Sequence, residues 1–221
     1  MLLSIIRQNQ KLAAKRNPAF DRNRFAKFLI YFMVAFWAAY LIFIGVMLSF
    51  AFEDIFPSME PYHIMNQGLI YLLILDFLLR FMLQPAMSQE IKPYLLMPIK
   101  KNKLVDTLLL QSGISSYNFF WFFLIVPFAL LTIIRFYEFT GILCYLCGIW
   151  LLMAMNSYWY LICKTLLNEK LLYILLPIGV YGLLAGTEFI PEGNPVSTFM
   201  MNLGEGFIEG NIPVSYTHLR A

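Results

Sequence analysis

The chain has little charge: of its 221 residues, 13% are Asp, Glu, Lys or Arg, whereas 60% are hydrophobic. Soluble domains are about one quarter charged, so this scarcity excludes a soluble globular domain and indicates an integral membrane protein. The basic residues flank apolar segments and do not form one basic surface. This distribution is typical of residues that set membrane topology, and it argues against nucleic acid as a partner.

Histidine and cysteine are also scarce, with two and three copies. Apart from the terminal segment discussed next, His63 is the one histidine, so neither a Ser-His-Asp set nor a histidine-rich zinc site can be assembled. Cys144, Cys147 and Cys163 fall in one apolar stretch, and we interpret them as packed thiols, not a redox or metal pair. The chain also lacks the G-x-x-x-x-G-K-[ST] pattern of a nucleotide-binding P-loop. We therefore expect no catalytic residue, metal or cofactor.

The last eight residues, 214–221, are interpreted as the translation of a sequencing-library adapter and not as part of the natural protein. The chain is then the N-terminal part of a longer protein that continues past Pro213. Residues 191–213, which are rich in Gly, Pro and acidic side chains, are expected to form an extracytoplasmic segment. A membrane enzyme would require polar motifs beyond Pro213.

Long apolar segments make up most of what remains. They predict an all-α integral membrane protein with about five transmembrane helices, preceded by an amphipathic interfacial helix. Pro127 is expected to kink the third span. In the fifth, Gly182 and Gly186 have the spacing that permits close packing of another helix. The expected spans in the transmembrane domain 28–190 cover residues 28–52, 64–83, 113–134, 140–163 and 171–187.

Basic residues predict the orientation. Residues 1–27 carry seven of them beside a single acid, and we expect this helix to bind the anionic lipid of the inner leaflet. Across the whole chain, thirteen basic residues fall in segments expected inside, and Arg135 alone falls in one expected outside. The positive-inside rule therefore predicts a cytoplasmic N-terminus. His63 and Glu138 would then lie outside, and Lys101 and Lys164 inside.

Three intramembrane polar residues are candidate site residues. Asp76 and Arg80 lie four apart on one helical face near the inner end of the second span. One interpretation is a self-satisfying ion pair with Arg80 reaching the inner headgroups. The other is a pair that lines a substrate path or fixes helix packing, because ionisable groups within a membrane are costly unless paired or hydrated. Asn156 either hydrogen-bonds across helices or faces a polar cavity, as do its neighbours Ser157, Tyr158 and Tyr160.

The loop 86–106 is the main polar interruption of the apolar sequence. It contains a short apolar knot, Tyr94–Ile99, directly before Lys100 and Lys101. A loop that only joined two helices would need no such knot. We therefore predict that it contacts another protein.

The order of an amphipathic basic N-terminus, two spans, the segment Tyr94-Leu-Leu-Met-Pro-Ile-Lys-Lys and a third span resembles the permease subunits of ABC-2-type exporters. The resemblance covers residues 1–190 in topology but about ten residues in sequence, and the five spans fall short of the six usual in that family. In that family the segment is a coupling helix that docks on a separate ATPase. The matching contact residues here are Tyr94, Leu95, Leu96, Pro98, Ile99, Lys100 and Lys101.

The resemblance implies a multi-pass subunit in a bacterial cytoplasmic membrane that hydrolyses no ATP itself. It also implies a cytosolic P-loop ATPase partner and a dimer or pseudo-dimer of permease halves. The substrate is not specified. The alternative is a non-transport membrane scaffold or sensor that binds a cytosolic regulator through the same loop.

Overall fold

The computed structural model describes residues 24–84, 101–187 and 194–210, together with Gln8, Asn9 and Leu12, which are helical. Within these residues the chain is helical without strands, so the expected all-α fold is confirmed there. The α-helices are α1 Arg24–Ile55, α2 Pro61–Leu83, α3 Lys101–Gly113, α4 Ser116–Phe120, α5 Phe122–Thr132, α6 Phe139–Glu169, α7 Leu175–Gly186 and α8 Pro195–Ile208. Two short 3₁₀ helices, Ile133–Arg135 and Leu171–Ile174, extend α5 and precede α7.

Three of these helices, α1, α2 and α6, are long and apolar enough to cross a membrane, as expected of a membrane protein. A fourth span is possible only as a bent pair, in which α3 and α4 are followed by α5. The expected fifth span is a shorter apolar helix. Its residues 171–186 rise about 26 Å, less than the roughly 30 Å of a bilayer's hydrocarbon core. The described residues therefore hold three or four long apolar helices, where the sequence predicted about five.

The expected kink in the third span lies elsewhere. The helix axis bends by 63° between Asn102–Phe120 and Phe122–Arg135, so the break falls at Trp121. Pro127 lies inside α5, which continues through it. Its ring packs on α1 at a position without a side chain, where a Cβ on Gly45 would lie 3.0 Å from Pro127 Cγ.

The core surrounds α5. Three of its side chains, Ile125, Phe128 and Ala129, are fully buried and pack against α2 and α6. Helix α1 joins this core only through its C-terminal half, because its apolar side chains before Leu41 are largely exposed. An exposed apolar face of this length is expected of a helix that lies against lipid. The buried cluster includes Leu41, Leu69, Leu73, Leu124, Ile133, Ile142, Tyr145, Ile149 and Met153.

Charged groups mark the two ends of the bundle. At one end, Arg135 Nη1 lies 3.0 Å from Glu53 Oε1, which ties the end of α1 to the turn after α5. At the other end, Lys164 Nζ donates to the carbonyl oxygen of Gln84, 2.7 Å away, where α2 ends. Residues expected on opposite sides of the membrane thus lie at opposite ends of the helices.

The segment 191–213, expected to be only an extracytoplasmic segment, contains α8, which packs on the bundle. Asn194 begins the helix, because its Oδ1 accepts hydrogen bonds from the backbone N–H groups of Val196 and Ser197 at 3.0 and 3.2 Å. Pro195 occupies the first turn, where its missing N–H costs no hydrogen bond. Phe207 and Ile208 are buried against α2 and α6.

Close packing of α8 depends on a glycine. A Cβ on Gly204 would collide with the side-chain amide of Asn66 on α2. The two helices can therefore approach only while position 204 lacks a side chain. Glycine is unfavourable inside a helix, so its presence weakens a helix prediction for this segment. The packing of α8 nevertheless requires glycine at position 204.

Gly204→Ala should lower the stability of the protein, because overpacking a close contact costs about 1–3 kcal/mol. Gly179→Ala on α7 is the matched control, since no atom of another described element lies within 4 Å of the position of its Cβ. Thermal unfolding in detergent, followed by tryptophan fluorescence, should show a lower midpoint for Gly204→Ala only. Equal midpoints for the two variants would show that α8 does not pack on Asn66.

Candidate functional site

A buried carboxylate forms the centre of the candidate site. Asp76 on α2 is 3% exposed and accepts three hydrogen bonds from side chains. Arg80 Nε and Asn156 Nδ2 donate to its Oδ2 at 2.7 and 2.8 Å, and Trp121 Nε1 donates to its Oδ1 at 2.8 Å. Each carboxylate oxygen therefore has a donor, as a charge removed from water requires.

Arg80 is fully buried, so the interpretation in which it reaches the headgroups is wrong. Its guanidinium group turns into the bundle because Asp76 and Asn118 offer acceptors there, with Nη2 lying 2.7 Å from Asn118 Oδ1. The ring of Tyr117 lies 5.9 Å from the guanidinium carbon. The third nitrogen, Nη1, is buried and has no hydrogen-bond partner among the described residues.

Asn118 connects this ion pair to the junction of α3 and α4. Its Nδ2 donates to the carbonyl oxygens of Ser112 and Gly113, at 3.2 and 2.5 Å. These carbonyls belong to the last turn of α3, where carbonyl groups lack partners within the helix. Ser112 Oγ also lies 2.8 Å from Ser157 Oγ on α6. The junction is thereby held to both α2 and α6.

Asn156 extends the network to α7. Its Nδ2 donates to the carbonyl oxygen of Leu73 at 3.0 Å as well as to Asp76, and its Oδ1 accepts a hydrogen bond from Tyr181 at 2.9 Å. The Tyr181 ring packs on Phe77 of α2, with ring centroids 4.9 Å apart. Asn156 thus hydrogen-bonds across helices, one of the two roles expected from the sequence.

The buried polar network, defined as Asp76, Arg80, Asn118, Trp121, Asn156 and Tyr181, spans the break of the bent helix pair. Asn118 lies before the 63° bend and Trp121 lies at it, and both bind residues of α2. Removing one partner of a buried ion pair typically costs about 3–5 kcal/mol. The bend is therefore held by polar contacts in a part of the molecule where little water is available to replace them.

The end of α2 is anchored in the same region. The carbonyl oxygen of Gln84 accepts hydrogen bonds from Lys164 Nζ and from the hydroxyl of Tyr160, both at 2.7 Å. Lys164 also donates to the carbonyl oxygen of Phe81 at 2.9 Å. These contacts satisfy carbonyls that the helix leaves unpaired at its C-terminus. They hold the end of α2, which the loop 86–106 follows in the chain, against α6.

A family model described as a family of unknown function (DUF5687) matches residues 10–219. The chain belongs to this family. No curated protein and no solved structure matches it. The description of the family names no activity and provides no link between this DUF5687 member and ABC-2-type permeases.

The structure brings together the three intramembrane residues singled out in the sequence, Asp76, Arg80 and Asn156. The apolar knot and Lys100 lie outside the described residues. Lys101 begins α3, and its side chain also lies outside them. The contacts of Trp121 and Tyr181 with the network were not predicted. Asn118 and Trp121 lie three residues apart, as residues on one face of a helix do. This spacing cannot identify Asp76, 45 residues before Trp121, as the acceptor of the indole N–H.

Other candidate groups do not form a site in the described part of the chain. Cys144 and Cys147 are exposed, Cys163 is buried, and all three are free thiols. Among the described residues, no group of three His, Cys, Asp or Glu side chains is arranged to hold a metal ion. Likewise, no described atom lies within 4 Å of a Cβ built on Gly182 or Gly186, so the close packing expected there is not made within this part.

Trp121→Phe should destabilise the protein by about 1–3 kcal/mol, because it leaves one oxygen of a buried carboxylate without a donor. Trp150→Phe is the matched control, since Trp150 Nε1 is also buried but has no partner among the described residues. Chemical denaturation in detergent should give a clearly lower free energy of unfolding for Trp121→Phe than for Trp150→Phe. The same loss in both variants would mean that the indole hydrogen bond to Asp76 contributes nothing.

Proposed function

We propose that this protein is the membrane permease subunit of an ATP-driven ABC-2-type exporter, coupled to a separate cytosolic ATPase through the loop 86–106. The observation that supports this most is the position of the loop between α2, which carries Asp76 and Arg80, and the helix that Asn118 binds. The loop follows α2 one turn after Arg80, and its last residues, 101–106, are helical and form the first turns of α3, whose last carbonyls accept hydrogen bonds from Asn118. A force on the loop would therefore act on both sides of the Arg80–Asn118 contact.

The contacts at the end of α2 favour transmission of such a force. The backbone N–H of Gln84 donates to the carbonyl oxygen of Arg80 at 2.8 Å, so the first residue beyond α2 is tied to the network. Lys164 and Tyr160 hold the carbonyl of the same residue to α6. Packed, hydrogen-bonded elements move between discrete arrangements and do not deform continuously. ATP binding in the partner would shift the loop, and the helices would rock to open a path alternately on each side.

In this proposal the membrane is the bacterial cytoplasmic membrane, with the N-terminus and the loop inside. Lys103 and Lys164 then face the cytoplasm, and the Glu53–Arg135 pair faces out. The basic residues near the loop attract the anionic inner leaflet and an acidic partner surface. The apolar knot is buried in a groove of the ATPase, because apolar area exposed to water costs about 25 cal/mol per Å².

Cysteine labelling in intact cells tests the orientation. In a background without the three native cysteines, a membrane-impermeant maleimide should modify Glu138→Cys and leave Lys103→Cys unmodified. Both positions are exposed, so accessibility within the fold does not separate them. After the cells are permeabilised, both should react. Modification of Lys103→Cys in sealed cells would overturn the proposed topology.

Leu96→Glu tests the coupling contact. A carboxylate in the apolar knot should abolish co-purification of a P-loop ATPase, because burying the charge in a groove is costly. Expression and membrane insertion should be unchanged, since the substitution lies outside the apolar spans. Lys103→Glu, which also adds negative charge but lies outside the knot, is the control and should weaken capture less. The captured proteins are identified by mass spectrometry.

The same experiment distinguishes the alternative functions. If the wild-type protein captures a partner without a P-loop, and Leu96→Glu releases it, the chain is a scaffold or sensor. If Leu96→Glu retains an ATPase whose rate still depends on the permease, the loop is not the coupling element. A knot that merely lies among lipid headgroups would also leave capture unchanged.

A further inference from the structure

The buried polar network contains a donor that it does not use. Arg80 donates through Nε to Asp76 and through Nη2 to Asn118, whereas Nη1 is buried and has no partner among the described residues. Buried polar groups in native proteins are nearly always hydrogen-bonded. A cationic donor is the most costly kind to leave unpaired. This nitrogen is therefore available to an acceptor that does not belong to the described part of the chain.

The hydrogen bonds to Asp76 explain why Arg80 Nη1 has no partner among the described residues. Arginine often pairs with a carboxylate through two parallel hydrogen bonds. Here Arg80 supplies only one, because Trp121 occupies Oδ1 and Asn156 shares Oδ2. Two neutral donors thus take the place of a second guanidinium contact. The remaining N–H groups suit the oxygen atoms of a phosphate or carboxylate, the groups that guanidinium binds best.

An aromatic ring lies against this site. Tyr117 lies over the guanidinium group, 5.9 Å from its carbon, and is itself 36% exposed. Nearby in sequence, Ile114 and Phe119 are exposed and apolar, as is Met82 on the turn after Arg80. A ligand that reaches Arg80 past Tyr117 therefore crosses a surface suited to acyl chains, at the end of α2 where the headgroups would lie.

We propose that Arg80 Nη1 is the recognition point for an oxyanion group, a phosphate or carboxylate, that binds when the Tyr117 ring moves aside. The apolar surface around Tyr117 favours the phosphate of an anionic lipid over a free anion. Together with the proposed exporter function, on which this inference rests, the site implies that the exported molecule carries a phosphate or carboxylate group. The binding itself requires no ATPase.

Calorimetric titration of the full-length protein in a phosphate-free maltoside detergent tests the site. The probes are dihexanoyl-phosphatidylglycerol, dihexanoylglycerol, which has the same chains without phosphate, and inorganic phosphate. Phosphatidylglycerol should bind at least about tenfold more tightly than dihexanoylglycerol, as loss of a hydrogen bond to a charged group implies. Inorganic phosphate that binds as tightly as phosphatidylglycerol would support the oxyanion site and assign it to a soluble anion.

The decisive variant is Asp76→Asn with Arg80→Gln, which removes both charges together and leaves no unpaired ion in the bundle. It should weaken phosphatidylglycerol binding about tenfold or more. Lys103→Gln removes an exposed positive charge from α3 and should change the affinity less than about twofold. Equal binding by wild type and the double variant would overturn the proposal, as would an equal loss in Lys103→Gln.

If the double variant does not fold, Tyr117→Ala provides a second test of the site. Removal of the Tyr117 ring should raise the association rate of phosphatidylglycerol several-fold, whereas an unchanged rate would overturn the site. Failure of the two proposals can be told apart. Lost lipid binding beside intact ATPase capture rejects the oxyanion site alone, and the reverse result rejects the exporter alone.

Discussion

The Asp76 carboxylate links three helical segments through its hydrogen bonds. Its donors are Arg80 on its own helix, Trp121 at the break between α4 and α5, and Asn156 on α6. A carboxylate buried among helices has no water to satisfy it, so each donor must be in place before the helices can close. The apolar core around α5 is less demanding, because many side chains of similar volume would fill it. The Asp76 contacts therefore select the bent arrangement of the third apolar segment over a straight one.

This constraint connects the core to the polar loop. The network occupies the inner part of α2, one turn from the residue where the loop begins, and the loop returns to the chain at α3. A straight helix in place of the bent pair would separate Asn118 from Arg80, so that Arg80 Nη2 and Asn118 Oδ1 would lose the hydrogen bond between them. Any partner that moves the loop thus works against a specific set of hydrogen bonds, and not against a diffuse apolar contact. Such a set favours two discrete states, as a transport cycle requires.

The sequence predicted the long helices well because each must provide enough apolar residues to cross a bilayer. Predictions from the sequence fail at charged residues and at glycine. The fourth span was ended at Cys163, yet α6 continues to Glu169, since Lys164 donates to carbonyls of α2 and needs no water. Helix α8 was not predicted because residues 191–213 are rich in Gly, Pro and acidic side chains, whereas the contact with Asn66 requires glycine at position 204. The break at Trp121 depends on an acceptor 45 residues away, which local patterns cannot identify.

Among the described residues, helix α1 packs on the bundle through its C-terminal half. Its residues from Leu41 onward pack on α5, whereas the stacked rings of Phe28, Phe32 and Phe36 face outward. Within the described residues, the helix is a lever with a pivot near Leu41 and an arm that runs to Arg24, about 26 Å away. A tilt of about 10° at the pivot would carry the Arg24 end through roughly 4 Å, by the same geometry. A small repacking around α5 would in this way become a larger displacement of the Arg24 end of the helix.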